Sequence, residues 1–384
     1  MSKTRKLVPR RRFKKYLNDG DWEQHKVGEV VDVRNGKDYK HLSEGSIPVY
    51  GTSGYMLSVN EALSYDEDAV GIGRKGTIDK PYVLKAPFWT VDTLFYAVPR
   101  EKMDLDFVLN IFQNIDWKKK DESTGVPSLS KTAINATRVM IPQYKEQCVI
   151  GEYLTKIDNL LTLHQRKLEK MKALKAAYLS EMFPAKGECK PKRRFKGFTD
   201  DWELRKLGEI GSVSMCKRIF KEQTSVKGDV PFYKIGTFGG DADAFISQEL
   251  FEEYKVKYPY PSKGAILISA SGSIGRTVEF TGKDEYFQDS NIVWLTHDKR
   301  LCDSFLKCFY ETVKWAGIEG STIKRLYNDN ILKTEIALPC ISEQKAIGNF
   351  FSNLDHLIAL HQRTLEKLQN MKKAYLNEMF VGGE

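Results

Sequence analysis

"LHQRKLEKMKALKAAYLSEMF" occupies residues 163–183, and "LHQRTLEKLQNMKKAYLNEMF" occupies residues 360–380. The match extends upstream without a gap, "IPQYKEQCVIGEYLTKIDNL" lying over "LPCISEQKAIGNFFSNLDHL", with about half of the positions identical. A repeat this long cannot arise from shared composition. Further upstream, "PRRRFKKYLNDGDWE" matches "PKRRFKGFTDDWE", and "DWEQHKVGEV" at Asp21 matches "DWELRKLGEI" at Asp201. The 384-residue chain is therefore two units, each a variable body followed by a helix.

The helix reads as a coiled-coil seam. Leu154, Ile157, Leu161, His164, Leu168, Met171, Lys175, Tyr178 and Met182 alternate in steps of three and four, the a/d spacing. The second copy gives Phe351, Leu354, Ile358, His361, Leu365, Leu368, Lys372, Tyr375 and Met379. A His and a Lys recur at matching places, and polar seam residues trade stability for register. Two such stripes most simply pack on each other. An antiparallel pair would relate the units by a pseudo-twofold and place the bodies at opposite ends of one rod. Taken as residues 150–183 and 347–380, each helix is about 50 Å long at 1.5 Å per residue.

The bodies have drifted further. Short apolar runs broken by glycine, "IPVYGTSGYML", "AVGIGRKGTID", "VPFYKIGTF" and "GAILISASGSIGRTVEF", read as strands. One helix is expected in each body, at "LDFVLNIFQNI" and "LCDSFLKCFYETV", and the extra length of the second body falls before Gly272. "STGVPSL" and "GSTIKRL" are a weak further match. The expected fold class is α+β: two mixed α/β domains separated by two long helices forming an antiparallel coiled coil, a pseudo-twofold tandem repeat. The expected boundaries are a basic N-terminal segment 1–21, a first body 22–143, a central helix 144–184, a linker 185–201, a second body 202–340 and a distal helix 341–384.

Between the strands lie loops rich in Gly, Ser, Thr, Lys and Arg, with aromatics close by. In the first body the candidates are Tyr50, Thr52, Ser53 and Tyr55, then Arg74, Lys75 and Thr77. In the second they are Lys217, Arg218, Lys234, Thr237, Ser271, Ser273 and Arg276. Arginine suits guanine edges, Ser and Thr serve any base, and glycine lets backbone amides approach phosphate. The net charge of +9 leans the same way, toward a polyanionic partner. Asp92 and Asp289 recur at matching positions and are expected to satisfy backbone donors at a strand turn.

Other chemistry is missing. No N-P-P-Y or D-P-P-Y motif occurs for gripping an adenine amine, and "YPYPS" at Tyr258 lacks the amide or acid. There is no G-x-x-x-x-G-K-[ST] phosphate loop and no G-x-S-x-G elbow. The six cysteines and six histidines have no metal-ligand spacing, so no catalytic residue and no metal site is expected. The basic N-terminus has no apolar stretch behind it and does not read as a signal peptide. No run of about 18 apolar residues exists. The expectation is a reduced, cytoplasmic protein without a membrane partner.

The two joints, in which P-x-x-x-E-Q opens each helix, together with the repeated helix and "PKRRFKGFTDDWELRKLGEI", resemble the specificity subunit of type I restriction–modification systems. The resemblance implies that each body is a target recognition domain reading one half of a bipartite double-stranded DNA sequence. It implies that the helices set the spacer and dock two modification subunits, and, where a restriction subunit accompanies them, two of those. S-adenosylmethionine, ATP and magnesium would belong to the partners, leaving this chain without a cofactor and non-enzymatic. Two other classes remain open to the sequence: a single-chain DNA nuclease, and a coiled-coil adaptor that never touches DNA.

Overall fold

The structure, a computed structural model, describes residues 7–318 and 324–381. The opening "MSKTRK" and most of the "GSTIKRL" match lie outside the described residues. The chain divides into two compact units, residues 1–166 with 362–384, and residues 167–361. Each unit thus takes one body, the first part of one long helix and the last part of the other.

In the first unit a four-stranded antiparallel sheet runs in the order Val31–Asn35, Leu94–Pro99, Ala69–Gly73, Tyr82–Leu84. A three-stranded sheet places Glu44–Gly51 between Gly54–Val59, antiparallel, and Trp89–Thr90, parallel. Glu23–Lys26 pairs antiparallel with Arg138–Ile141. The second unit repeats all three sheets in the same order. Its four strands are Gly211–Ser214, Ile292–His297, Ile266–Ser269 and Thr277–Glu279. Its three are Ala244–Ile246, Val230–Tyr233 and Tyr286–Phe287, and Glu203–Lys206 pairs with Glu335–Leu338.

Both expected body helices are present, at Leu105–Asn114 and Asp303–Thr312. One helix per body was too few. Gln248–Lys257, capped by the Ser247 hydroxyl, is a further helix in the stretch before Gly272, and only Phe251 of it is buried. So narrow an apolar face leaves little periodic signal.

The two long helices run over Tyr144–Met182 and Ile341–Met379, 39 residues each, about 58 Å at 1.5 Å per residue. They begin six residues earlier than the apolar stripe suggests, just after Pro142 and Pro339, because the E-Q pair of each joint lies inside the first turns. Glu146 is buried and takes a bidentate ion pair from Arg12, at 2.7 Å from both Nε and Nη2. Glu343 takes the same pair from Arg194, at 2.6 and 2.7 Å. The Gln147 amide donates to the Pro142 carbonyl and accepts from the Asp104 N–H, tying the long helix to the body helix. Gln344 does the same with Pro339 and Cys302.

Within each unit the helix segments pack antiparallel, since partner numbers rise on one helix as they fall on the other. Tyr153 meets Tyr375 edge-on at 5.3 Å and Asp158 pairs with Lys372 at 2.6 Å in the first unit. Tyr178 meets Phe350 at 5.3 Å and Lys175 pairs with Asp355 at 2.6 Å in the second. None of the seam residues named above is exposed. The seam lysines also reach the bodies, Lys372 at Gln113 and Lys175 at Glu311. Burial alone would lower the Lys175 ammonium, but Asp355 and Glu311 reverse the shift and hold it above its ordinary value.

One aromatic triad closes each core. Trp22, Phe107 and Phe380 meet in the first unit, with the phenylalanine rings stacked at 5.4 Å. Trp202, Phe305 and Phe183 meet in the second, stacked at 5.2 Å. The tryptophan of each D-W-E motif thus caps the end of a long helix.

Candidate nucleic-acid interface

In the first unit the candidate loops converge at one end of the sheets. Thr52 and Ser53 make the turn between Glu44–Gly51 and Gly54–Val59, and Gly54 closes it at φ +108°, where a side chain would be strained. Tyr50 sits between Tyr55 and Tyr82, with ring centroids 6.4 and 6.1 Å away. The Tyr82 hydroxyl donates to the Gly51 carbonyl at 2.6 Å and fixes the turn from beneath, while Tyr55 is 63% exposed.

Arg74 and Lys75 leave the strand Ala69–Gly73 on a loop held by its backbone. Both N–H groups donate to the Thr93 carbonyl, at 2.8 and 3.3 Å, and the Arg74 carbonyl accepts from Leu129. A Cβ at Gly76 would stand 3.9 Å from the Thr52 hydroxyl, so the two loops are neighbours. Thr77 is half-buried; Arg74 and Lys75 are exposed, with the Arg74 guanidinium 5.8 Å from the Phe95 ring centre. A rigid backbone thus presents two cations and two aromatics on one surface.

A further loop joins them. Gly76 N–H donates to the Pro127 carbonyl, which brings residues 121–128 alongside. That loop is closed on one carboxylate: Asp121 accepts from the Ser128 and Ser123 amides and the Ser123 hydroxyl. The Ser128 amide, then the Ser123 donors, hold its carboxyl below the ordinary range. Thr124, Gly125 and Val126 form its exposed tip. The D-x-S pattern of an Asx turn was the available signal.

In the second unit the loops are joined through residues 287–291. Gln288 accepts from the Ile235 N–H and donates its own N–H to the Tyr233 carbonyl. Arg276 reaches the Gly239 carbonyl at 3.2 Å. Lys217 lies over the Tyr258 ring at 5.1 Å, Arg218 pairs with Asp289 at 2.9 Å, and Lys234 pairs with Asp243 at 2.8 Å. Ser273 and Arg276 are exposed. Lys324 and Arg325 are exposed beside them: the Lys324 carbonyl accepts from the Gly272 N–H, and the Arg325 backbone forms an antiparallel bridge with Ser271.

Two expectations need correction, and a third side chain is engaged within its own turn. Ser271 is 4% exposed and donates its hydroxyl to Asn291 Oδ1 at 2.7 Å, so it shapes its loop instead of facing a ligand. Thr237 is half-buried, and its hydroxyl accepts from Lys234 N–H at 3.1 Å within its own turn. The Asp289 carboxylate serves a guanidinium, and among the described residues neither it nor Asp92 accepts from a backbone donor.

Among the described residues no cluster of three or more His, Cys, Asp or Glu side chains could hold a metal ion, and no helix is long and apolar enough to cross a membrane. Residues 19–173 and 199–370 each match the family described as the type I restriction modification DNA specificity domain. The chain belongs to that family. A type I restriction enzyme specificity subunit of Haemophilus influenzae is 35% identical over 370 residues, covering 90% of each chain. The MjaVIII specificity subunit of Methanocaldococcus jannaschii is 22% identical, over 94% of this chain and 92% of that one. The crystal structure of a type I restriction–modification S subunit from M. genitalium has the same fold, with a TM-score of 0.70 at 13% identity, covering 98% and 100% of the two chains. Each matched segment contains one of the two loop clusters.

Proposed function

We propose that this chain is the DNA-reading subunit of a type I restriction–modification complex, and that each unit reads one half of a bipartite duplex target. The observation that carries the reading is the doubled loop cluster. Two scaffolds with the same sheets in the same order present loops that share almost no sequence, and both loop sets carry exposed cations beside aromatics. Conserved scaffold with divergent loops is what two readers of different half-sites require. The chain contributes recognition, and the chemistry belongs to its partners: modification subunits that transfer a methyl group to adenine, with restriction subunits where these are present, acting on DNA in the cytoplasm. The long helices would dock those subunits and set the unspecified spacer.

The test is an exchange. Residues 202–338 are replaced by the second body of another family member, and methylated motifs are sequenced from cells that also express the modification subunit. One half-site should change and the other should stay. Changes in both halves would overturn the assignment of one reader to each unit.

A further inference from the structure

The Arg218–Asp289 pair stands out because its two members are presented so differently. The Asp289 side chain is 18% exposed and the Arg218 side chain 59%. Asp289 sits on a turn with little freedom: Asn291 N–H donates to its carbonyl, Ser290 holds a left-handed φ of +54°, and the flanking Gln288 and Asn291 side chains are engaged by Ile235 and Ser271. Its carboxylate contacts Arg218 through Nε alone, at 2.9 Å. The guanidinium is planar, so a carboxylate that takes Nε leaves Nη1 and Nη2 as a parallel pair of donors at the exposed end. Among the described residues neither donates to another side chain. That pair of donors matches O6 and N7 of guanine in the major groove.

We propose that Asp289 is a positioning residue for Arg218, and that the two together select one guanine in the half-site read by residues 202–338. The inference rests on the proposed function and assigns a base to that reader.

A bare arginine on a loop is drawn to any phosphate and loses side-chain freedom on binding. A fixed carboxylate at Nε offsets both effects. It holds the fork in one orientation before DNA arrives, and it cancels much of the attraction to phosphate, so discrimination rises more than affinity. It can also accept from the N4 amine of a neighbouring cytosine. The corresponding turn of the first unit supports the position as one for reading. Asp92 occupies it, and its carbonyl lies 3.5 Å from Arg74 Nη1. The two arginines come from different loops, Arg74 following Ala69–Gly73 and Arg218 following Gly211–Ser214, yet each stands beside the corresponding turn of its own unit.

The test uses the full chain in complex with its modification subunits. A duplex library randomised across both half-sites is methylated with S-adenosylmethionine, and the modified sequences are read for wild type, Arg218→Lys, Asp289→Asn, Asp289→Glu and the double variant R218K/D289N. Arg218→Lys and Asp289→Asn should each relax the same single guanine by about tenfold. The double variant should relax it no further, Asp289→Glu should recover most of the preference, and the other half-site should stay intact. An intact first half-site also reports that each variant complex is folded and assembled. Motifs unchanged in either single variant, or relaxed at different positions, would overturn the pairing. So would uniform loss of methylation in Asp289→Asn, which would mark Asp289 as structural. If the wild-type complex reads no base through residues 202–338, as the body exchange would reveal independently, the proposed function falls and this inference with it.

Discussion

At the scale of single residues, Arg12–Glu146 and Arg194–Glu343 are the interactions most sensitive to change. The Glu146 and Glu343 side chains are 1% and 0% exposed, and each depends on one guanidinium for compensation. Removing one member of a buried pair leaves an unpaired charge and costs about 3–5 kcal/mol, while replacing both by apolar groups of similar volume is close to neutral. Arg12→Ala should therefore lower the unfolding temperature of the first unit by about 10 °C, read by calorimetry. R12M/E146L should restore most of it, and a double variant as unstable as the single one would contradict the charge argument. Arg74 presents the opposite case, exposed and held by its backbone. Arg74→Ala should leave stability unchanged and weaken binding of the cognate duplex by about 1–3 kcal/mol if the side chain meets a base edge. An even loss on every sequence, with a salt slope smaller by about one, would place it on phosphate.

At the scale of elements, the glycine of the repeated "IG" pair shows how packing can overrule helix propensity. In a helix interior, glycine is about 1 kcal/mol worse than alanine. A Cβ at Gly151, however, would lie 2.4 Å from Asp104 Oδ1 and 2.8 Å from the Phe107 amide, and one at Gly348 would lie 2.2 Å from the Ser304 hydroxyl and 2.6 Å from its Cβ. The long helix and the body helix touch there with no room for a methyl group. Gly151→Ala should thus destabilise by about 1–3 kcal/mol, against its propensity, measured by urea unfolding. A stabilised variant would mean the helices can separate at no cost. The same contrast explains what the sequence disclosed. The heptad seam and the E-Q joints were legible because a helix repeats its packing face every three or four residues, and because two copies could be compared. The partner of Glu146 was not, since Arg12 lies 134 residues away and no local pattern encodes that distance. Loop composition located the candidate surface, but Ser271 and Ser273 look alike in sequence. Only the course of the loop turns one inward and the other out.

At the scale of the whole molecule, the chain behaves as two repeats that have exchanged their helix ends. In the second unit the linker follows directly from the first long helix, and Arg193 binds back on it: Nε to Glu181 at 2.5 Å, the guanidinium 5.1 Å from the Tyr178 ring, its N–H on the Glu181 carbonyl. In the first unit the N-terminal segment makes the same contacts with the end of the second long helix. Arg11 Nε meets Glu378 at 2.6 Å, its guanidinium lies 5.0 Å from Tyr375, and its N–H donates to the Glu378 carbonyl. The residues that residues 1–166 demand of their partner segment are Lys372, Tyr375, Glu378, Met379 and Phe380. The first helix carries the same residues, at Lys175, Tyr178, Glu181, Met182 and Phe183. A half-chain of residues 1–190 therefore contains both sides of the first unit's helix contact, and two copies can each supply the other's missing segment. Such a contact is isologous and closes with twofold symmetry. The half-chain should form a dimer at micromolar concentration, read by light scattering. With the modification subunit it should direct methylation to a palindrome built from the first half-site and its reverse complement. Asp158→Lys should break the dimer by setting a like charge against Lys175, and D158K/K175D should restore it. A half-chain that stays monomeric at tens of micromolar would show that the second unit supplies something these five positions do not.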